Sequence, residues 1–228
     1  MRQTYAKLIK DLREKGSFSQ KEIADRLEIA RTSYIAIEQG KRELTLSEAH
    51  KLADMFGIEM EDLETGIIPN YEKYKEMILA YLRVAGHNID GKIPKTKLAK
   101  LLYLADFAWF YEHLESMSGM KYRKIEFGPV PDMYFRALAE LEDEGLIFIE
   151  RKGDAILIGE SEAAKRNKLS SITSNEKKLI KQIAKKWKEK KTKEIVKFTH
   201  EQLPYSICEN NEIIPYSLIT QEDPEYVF

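Results

Sequence analysis

Apolar positions recur at helical spacing along most of the chain, and strand-like patterning is confined to residues 120–127 and 146–158. Tyr5, Leu8, Ile9 and Leu12 form an i, i+3, i+4, i+7 stripe that predicts a first helix, closed by Gly16. Ser19 stands three residues before Glu22, the spacing of a capping box, and starts a second helix with Ile23 and Leu27 facing inward. A third helix is expected from about Ala30 to Gln39, ended by Gly40. The fourth, Ser47 to Phe56, turns Leu52, Ala53 and Phe56 inward and stops at Gly57; a short fifth spans Met60 to Leu63. Glu28 and Ile29 alone separate the second and third helices, the tight connection that a helix-turn-helix requires.

Thr65 to Asn70 breaks this pattern, and Pro69 biases Ile68 away from α conformation, so two domains are expected, residues 1–66 and 71–228. In the second, Tyr74, Met77, Ile78, Tyr81, Leu82 and Ala85 form a helical stripe ending at Gly86, and Leu98, Leu101, Leu102 and Ala105 form another just after Pro94. Tyr103, Leu104 and Phe107 to Phe110 make this second helix apolar around most of its circumference, as a buried central helix or a partner surface would be. An unpaired carboxylate inside that run is costly, so Asp106 is expected to be hydrogen-bonded, ion-paired or at a rim. Met120 to Phe127 reads as a strand, and Gly128 to Pro131 as a stiff turn that delays the next helix to about Asp132–Glu144, with Phe135, Leu138 and Leu141 inward. Leu146–Ile149 and Ala155–Ile158 flank Arg151-Lys152-Gly153-Asp154, a hairpin with a basic tip that also fits the wing of a winged helix. Leu179, Ile180, Ile183, Ala184 and Trp187 share one face of a last long helix, while nine lysines between Lys177 and Lys193 read as its solvated side.

With 228 residues the chain has room for two modest cores. Hydrophobic residues at 43% and charged residues at 33%, with 37 basic against 38 acidic, describe a globular chain and exclude a disordered one. The single cysteine, Cys208, leaves no intramolecular disulfide to form and fits a reducing compartment. The longest apolar run, Leu98 to Tyr111, contains Lys100 and Asp106 and falls short of the roughly 20 residues a membrane span needs. The first seven residues are too charged for a signal peptide, and a soluble cytoplasmic protein with no membrane partner is expected. Residues 1–66 hold 11 basic and 13 acidic side chains, so any nucleic-acid contact there depends on a local patch.

Leu12-Arg13, Ser19-Gln20-Lys21-Glu22-Ile23-Ala24 and Tyr34 to Arg42 resemble the XRE/Cro/phage-repressor helix-turn-helix family over residues 5–63. The resemblance implies an ion pair between Arg13 and Glu38 and a recognition helix lying in the DNA major groove. By position, Arg31, Thr32 and Ser33 would read bases, Gln20 and Lys21 at the second helix's N-terminus would hold a phosphate, and Lys41 and Arg42 would add backbone contacts. Ala30 and Ala36 depart from the family's polar preferences at their positions. A homodimer placing two recognition helices about 34 Å apart is also implied.

Lys100 to Asp106, Phe127-Gly128-Pro129-Val130-Pro131, Leu141 to Ile147, Thr199-His200-Glu201 with Pro204, and Ile214-Pro215-Tyr216 together resemble the Panacea, or SocA-like antitoxin, family over about residues 74–220. Tyr205 stands where that family often has Trp. The resemblance implies a domain that neutralises a protein toxin encoded by a neighbouring gene, and in one branch a proteolytic adaptor serving an ATP-dependent protease.

No catalytic constellation is evident among four histidines and one cysteine; His200 and Cys208 lack zinc-site spacing, and neither enzyme activity, metal nor cofactor is expected. His200 is expected to bond backbone near the Pro204 turn. The architecture expected is mainly α: a five-helix lambda-repressor-like domain followed by a helical α+β domain with a small β-hairpin. The function expected is a type II antitoxin that autorepresses its operon by binding double-stranded operator DNA; a stand-alone repressor and a proteolytic adaptor are the alternatives. Stiff aromatic and proline-bearing loops offer a pre-ordered surface, so the toxin is expected at Phe127, Gly128, Pro129, Val130 and Pro131 together with His200, Pro204 and Tyr205.

Overall fold

A computed structural model describes residues 2–85 and 91–228. Gly86, expected to end a helix, and His87 lie outside the described residues. The chain forms two compact units, Met1–Ile68 and Pro69–Phe228.

The first unit is built from α1 (Arg2–Lys15), α2 (Gln20–Leu27), α3 (Arg31–Glu38), α4 (Leu46–Phe56) and α5 (Met60–Thr65). Ser19 accepts from the Glu22 backbone N–H while Glu22 accepts from that of Ser19, so the capping box fixes the start of α2. Thr45 and Glu48 make a second box at α4, which the sequence reading missed. Ile9, Ile23, Leu27, Tyr34, Ile37, Leu52 and Leu63 form one core. The end of α1 differs from expectation: Ser17, at φ 56°, takes the left-handed conformation, and Gly16 does not. A Cβ on Gly16 would meet the Phe18 ring at 2.8 Å, so the glycine is needed for close approach and not for a positive φ.

The second unit centres on α7 (Lys95–His113), buried from Lys97 through Ala108. Packed around it are α6 (Tyr71–Ala85), α9 (Ser174–Trp187) and α10 (Thr192–Glu201), followed by α11 (Leu203–Ile207). β1 (Lys92–Pro94), β4 (Ile147–Lys152) and β5 (Ala155–Glu160) form an antiparallel sheet in the order β1-β5-β4. β1 was not anticipated from sequence. Arg151 and Lys152 belong to β4, leaving Gly153 and Asp154 as the turn, so the hairpin tip is not the basic one expected.

Two further expectations are corrected. The strand read over Met120–Phe127 reduces to β2 (Tyr122–Arg123), paired with β3 (Val130–Pro131), because Pro129 and Pro131 have no N–H with which to extend a ladder. The tail holds the rest: Ile214 donates to Tyr122 O at 2.7 Å and Lys124 to Glu212 O at 2.9 Å. The following helix, α8 (Tyr134–Asp143), buries Tyr134, Ala137, Leu138 and Leu141, an i, i+3, i+4, i+7 set that leaves Phe135 52% exposed instead of inward.

Asp106 is fully buried and hydrogen-bonded, as the apolar context of α7 demanded. Its carboxylate accepts from Ser118 N at 2.5 Å, from Ser118 Oγ, and from Tyr122 OH at 2.9 Å. Burial lifts its pKa to about 6 even though these Ser118 and Tyr122 bonds favour the ionised form. Asp106→Ala would strand three buried donors and is expected to cost the second unit about 3 kcal/mol. Trp109 and Trp187 both lie in that unit, so urea denaturation followed by tryptophan fluorescence reads the loss directly; a change below about 1 kcal/mol would contradict this role.

Candidate functional sites

In the first unit a chain of polar contacts links three helices, from Glu38 at the end of α3 to Arg31 at its start. Arg13 Nε donates to Glu38 Oε1 at 2.6 Å and Arg13 Nη1 to Phe18 O at 3.1 Å. Gln20 Nε2 donates to Glu38 Oε2 at 2.9 Å, and Arg31 Nη2 to Gln20 Oε1 at 3.3 Å. Burial pushes the Glu38 carboxyl up, but the bonds from Arg13 and Gln20 outweigh it and hold its pKa below the ordinary value. The chain ends at Arg31, on the solvent side.

Lys21, Arg31, Thr32 and Lys41 are exposed, while Gln20, Ser33 and Arg42 are half-buried. Ala30 caps α3 without a side-chain bond, and Ser33 N donates to the Ala30 carbonyl at 2.9 Å. Gln20, predicted as a phosphate holder, is engaged by Glu38 and Arg31 and acts as the spacer between them. Arg42 is likewise engaged, donating to Glu48 Oε1 at 2.7 Å. Lys21, Arg31, Thr32 and Lys41 are thus the exposed members of the expected set, with Gln20, Ser33 and Arg42 half-buried beside them.

In the second unit, motifs far apart in sequence meet around Lys100, which is completely buried. Its Nζ donates to Pro129 O at 2.9 Å, and among the described residues no carboxylate pairs with it. Burial alone lowers its pKa to about 7. Gly128 has φ +92°, and a Cβ there would lie 2.7 Å from Lys100 Cε and 2.9 Å from His200 Nε2, so this turn needs glycine for both conformation and space. The His200 ring stacks on Tyr205 at 4.3 Å, and Tyr205 OH donates to Ile125 O at 2.8 Å. Burial and the nearby Lys100 and Lys124 charges lower the His200 pKa against the opposing effect of the Phe127 backbone. Its Nε2 is buried without a hydrogen-bond partner among the described residues, and the backbone it faces is that of Phe127, not of the Pro204 turn expected from sequence.

Of the residues expected to present a toxin surface, Phe127 is exposed at 65% and His200 half-buried, whereas Gly128 to Pro131, Pro204 and Tyr205 are buried. Those buried residues shape the turn; they are not its outer surface. Beside it opens a pocket of about 540 Å³, lined in part by Lys95, Lys100, Phe127, Phe135 and Ile156. Sequence reading missed Lys95 and Lys100 as site residues. The argument that flagged Asp106, a charge inside an apolar helical run, applies equally to Lys100.

The nine-lysine stretch is partly structural. Lys177 Nζ donates to Leu169 O at 2.8 Å, and Lys97 from α7 donates to Lys190 O at 2.6 Å. Among the described residues no helix is long and apolar enough to cross a membrane.

The unfolded Lys100 pKa lies near 10.5 and the folded value near 7, so between these pH values the unfolded chain binds more protons and stability rises with pH. Lys100→Met is expected to remove this contribution. Urea midpoints at pH 7 and pH 9 should therefore diverge more in the native protein than in the variant; equal slopes would contradict a desolvated lysine.

Residues 9–63 match the helix-turn-helix family, and residues 98–204 match the SocA-like antitoxin family, Panacea domain. An uncharacterised HTH-type transcriptional regulator from Methanocaldococcus jannaschii is 36% identical over 55 residues, which is 24% of this chain and 83% of that protein. No solved structure matches.

Proposed function

From a chain that belongs to the helix-turn-helix family through its first unit and carries a SocA-like Panacea domain in its second, we propose an antitoxin that also regulates transcription. In this reading the second unit neutralises a protein toxin encoded beside it by direct binding, and the first unit represses the shared operon. The observation that carries the reading is the joining, in one chain, of a braced recognition helix to a Panacea domain.

The DNA half rests on the Arg13–Glu38–Gln20–Arg31 chain. It fixes α3 relative to α1 and α2 and holds the Arg31 guanidinium near the start of α3, where a helix of this motif meets base edges. Arg31 is suited to a bidentate contact with guanine and Thr32 to a base edge or methyl group, while Lys21 and Lys41 supply phosphate contacts without sequence information. With no basic excess over residues 1–66, one copy has little non-specific attraction, and a homodimer reading two half-sites supplies the affinity. The reading includes no enzyme activity, cofactor or metal. Delivery of the bound toxin to an ATP-dependent protease is compatible with the same domain, but no feature of the structure favours it over sequestration.

Two assays test the proposal together. In mobility-shift titrations with DNA from upstream of its own gene, Arg31→Ala and Thr32→Ala are each expected to weaken binding by roughly tenfold or more. Both variants should still restore growth of cells expressing the adjacent open reading frame. Absence of a shift with the native protein would overturn the repressor half, and a neighbour that stays toxic on co-expression would overturn the antitoxin half.

A further inference from the structure

The pocket beside α7 combines three features that belong to one kind of ligand. The first is charge. Lys95 and Lys100 both line it, and among the described residues neither has a carboxylate partner. Lys95 Nζ sits 4.5 Å above the Phe135 ring, and the three N–H bonds of Lys100 meet the single acceptor Pro129 O. The first turn of α7, at Pro94, Lys95 and Thr96, lines the same space, and its N-cap, Pro94, makes no side-chain cap bond. Two lysines, Lys95 in the first turn of a long helix and Lys100 in its second, favour an anion in the space they line.

The second feature is an open strand edge. β1 pairs with β5 only as far as Pro94 opposite Leu157, because the chain then turns into α7. Ala155 and Ile156 continue β5 beyond that point, paired with β4 on one side and with no strand on the other, and both line the pocket. The third is an apolar wall: Phe127 and Phe135 are 65% and 52% exposed beside Val130. A nucleic-acid backbone fits poorly, since it presents repeated phosphates to a space with two cations, aromatic walls and Asp154 at the hairpin turn. A chain end fits all three, because it carries one carboxylate, backbone groups for an open edge and side chains for the wall.

We infer that this pocket captures the carboxyl-terminal end of a partner polypeptide, its α-carboxylate set against Lys95, Lys100 and the start of α7, and its last apolar residues extended along Ala155–Ile156. The inference rests on the antitoxin reading for the source of that polypeptide, namely the toxin. Lys100 is closed from water, so Lys95 and the helix N–H groups make the direct contact while Lys100 acts through a low-dielectric interior. An arriving carboxylate favours the charged forms of Lys100 and of His200, which packs beside it from α10, so binding takes up a proton and weakens as pH rises above 7.

The test uses the full chain and fluorescein-labelled octapeptides ending in three apolar residues, each as the free acid and as the C-terminal amide. The acids are expected to bind at least about tenfold more tightly than the amides at pH 6.5. Lys95→Met, Lys100→Met and the surface change Ala155→Asp should each erase that difference, and Lys95→Met and Ala155→Asp leave the buried core untouched. Equal binding of acid and amide, or no binding of either, would overturn the inference. So would 4-phenylbutyrate competing as well as the peptides, which would mark a small-carboxylate site. In cells, a toxin lacking its last four residues should escape neutralisation; if it is still neutralised, the inference falls and the antitoxin reading stands. If the intact neighbour is never neutralised, the antitoxin reading falls and the peptide titration still decides the pocket.

Discussion

The second unit depends on how one helix hides two charges. α7 is buried on nearly every side, yet it carries Lys100 and Asp106, and neither can be left unsatisfied at that depth. Asp106 draws Ser118 and Tyr122 onto the helix, which sets the path of the chain into β2, and Tyr216 packs its ring on Phe107 at 4.5 Å beside them. Lys100 takes Pro129 O, and that bond pulls the Phe127–Pro131 turn in so closely that residue 128 must be glycine. His200 and Tyr205 then close over the turn. Two of the separated segments that resemble the Panacea family, Lys100–Asp106 and Phe127–Pro131, thus meet through a buried charge, with His200 against the same turn.

The first unit solves a smaller problem by similar means. A recognition helix of eight residues has little intrinsic stability, and its position is imposed by packing and by Glu38, which gathers Arg13 from α1 and Gln20 from α2. The guanidinium at its exposed end is held by the same set of contacts. Removing Glu38 would therefore loosen the reading face as well as the core beneath it.

Much of the first unit was legible because its signals are local. Ser19 with Glu22, and Gly40, Gly57 and Gly66 beyond helix ends, act within a few residues. Phe135 was misread because Tyr134 and Phe135 both precede Leu138 at helical spacing, i−4 and i−3, and the fold buries Tyr134 while Leu138 and Leu141 face inward as expected. β1 is three residues long and exists through its pairing with β5, more than sixty positions later, so no local pattern announces it. The Lys100 cluster was legible only in part: its burial followed from the apolar run, whereas its meeting with Gly128 and His200 is tertiary. The same holds for the pocket, since α7, β5 and the Phe127 turn meet only in the fold.

If the second unit meets its protein partner at the pocket where α7 begins, the reading face of the first unit stays free for DNA. Hydrogen–deuterium exchange on the full chain, alone and bound to the product of the adjacent gene, tests this most directly. Exchange is expected to slow at residues 125–135 and 154–157, with α3 unchanged. Protection confined to the lysine-bearing face of α9, or to α3, would contradict it.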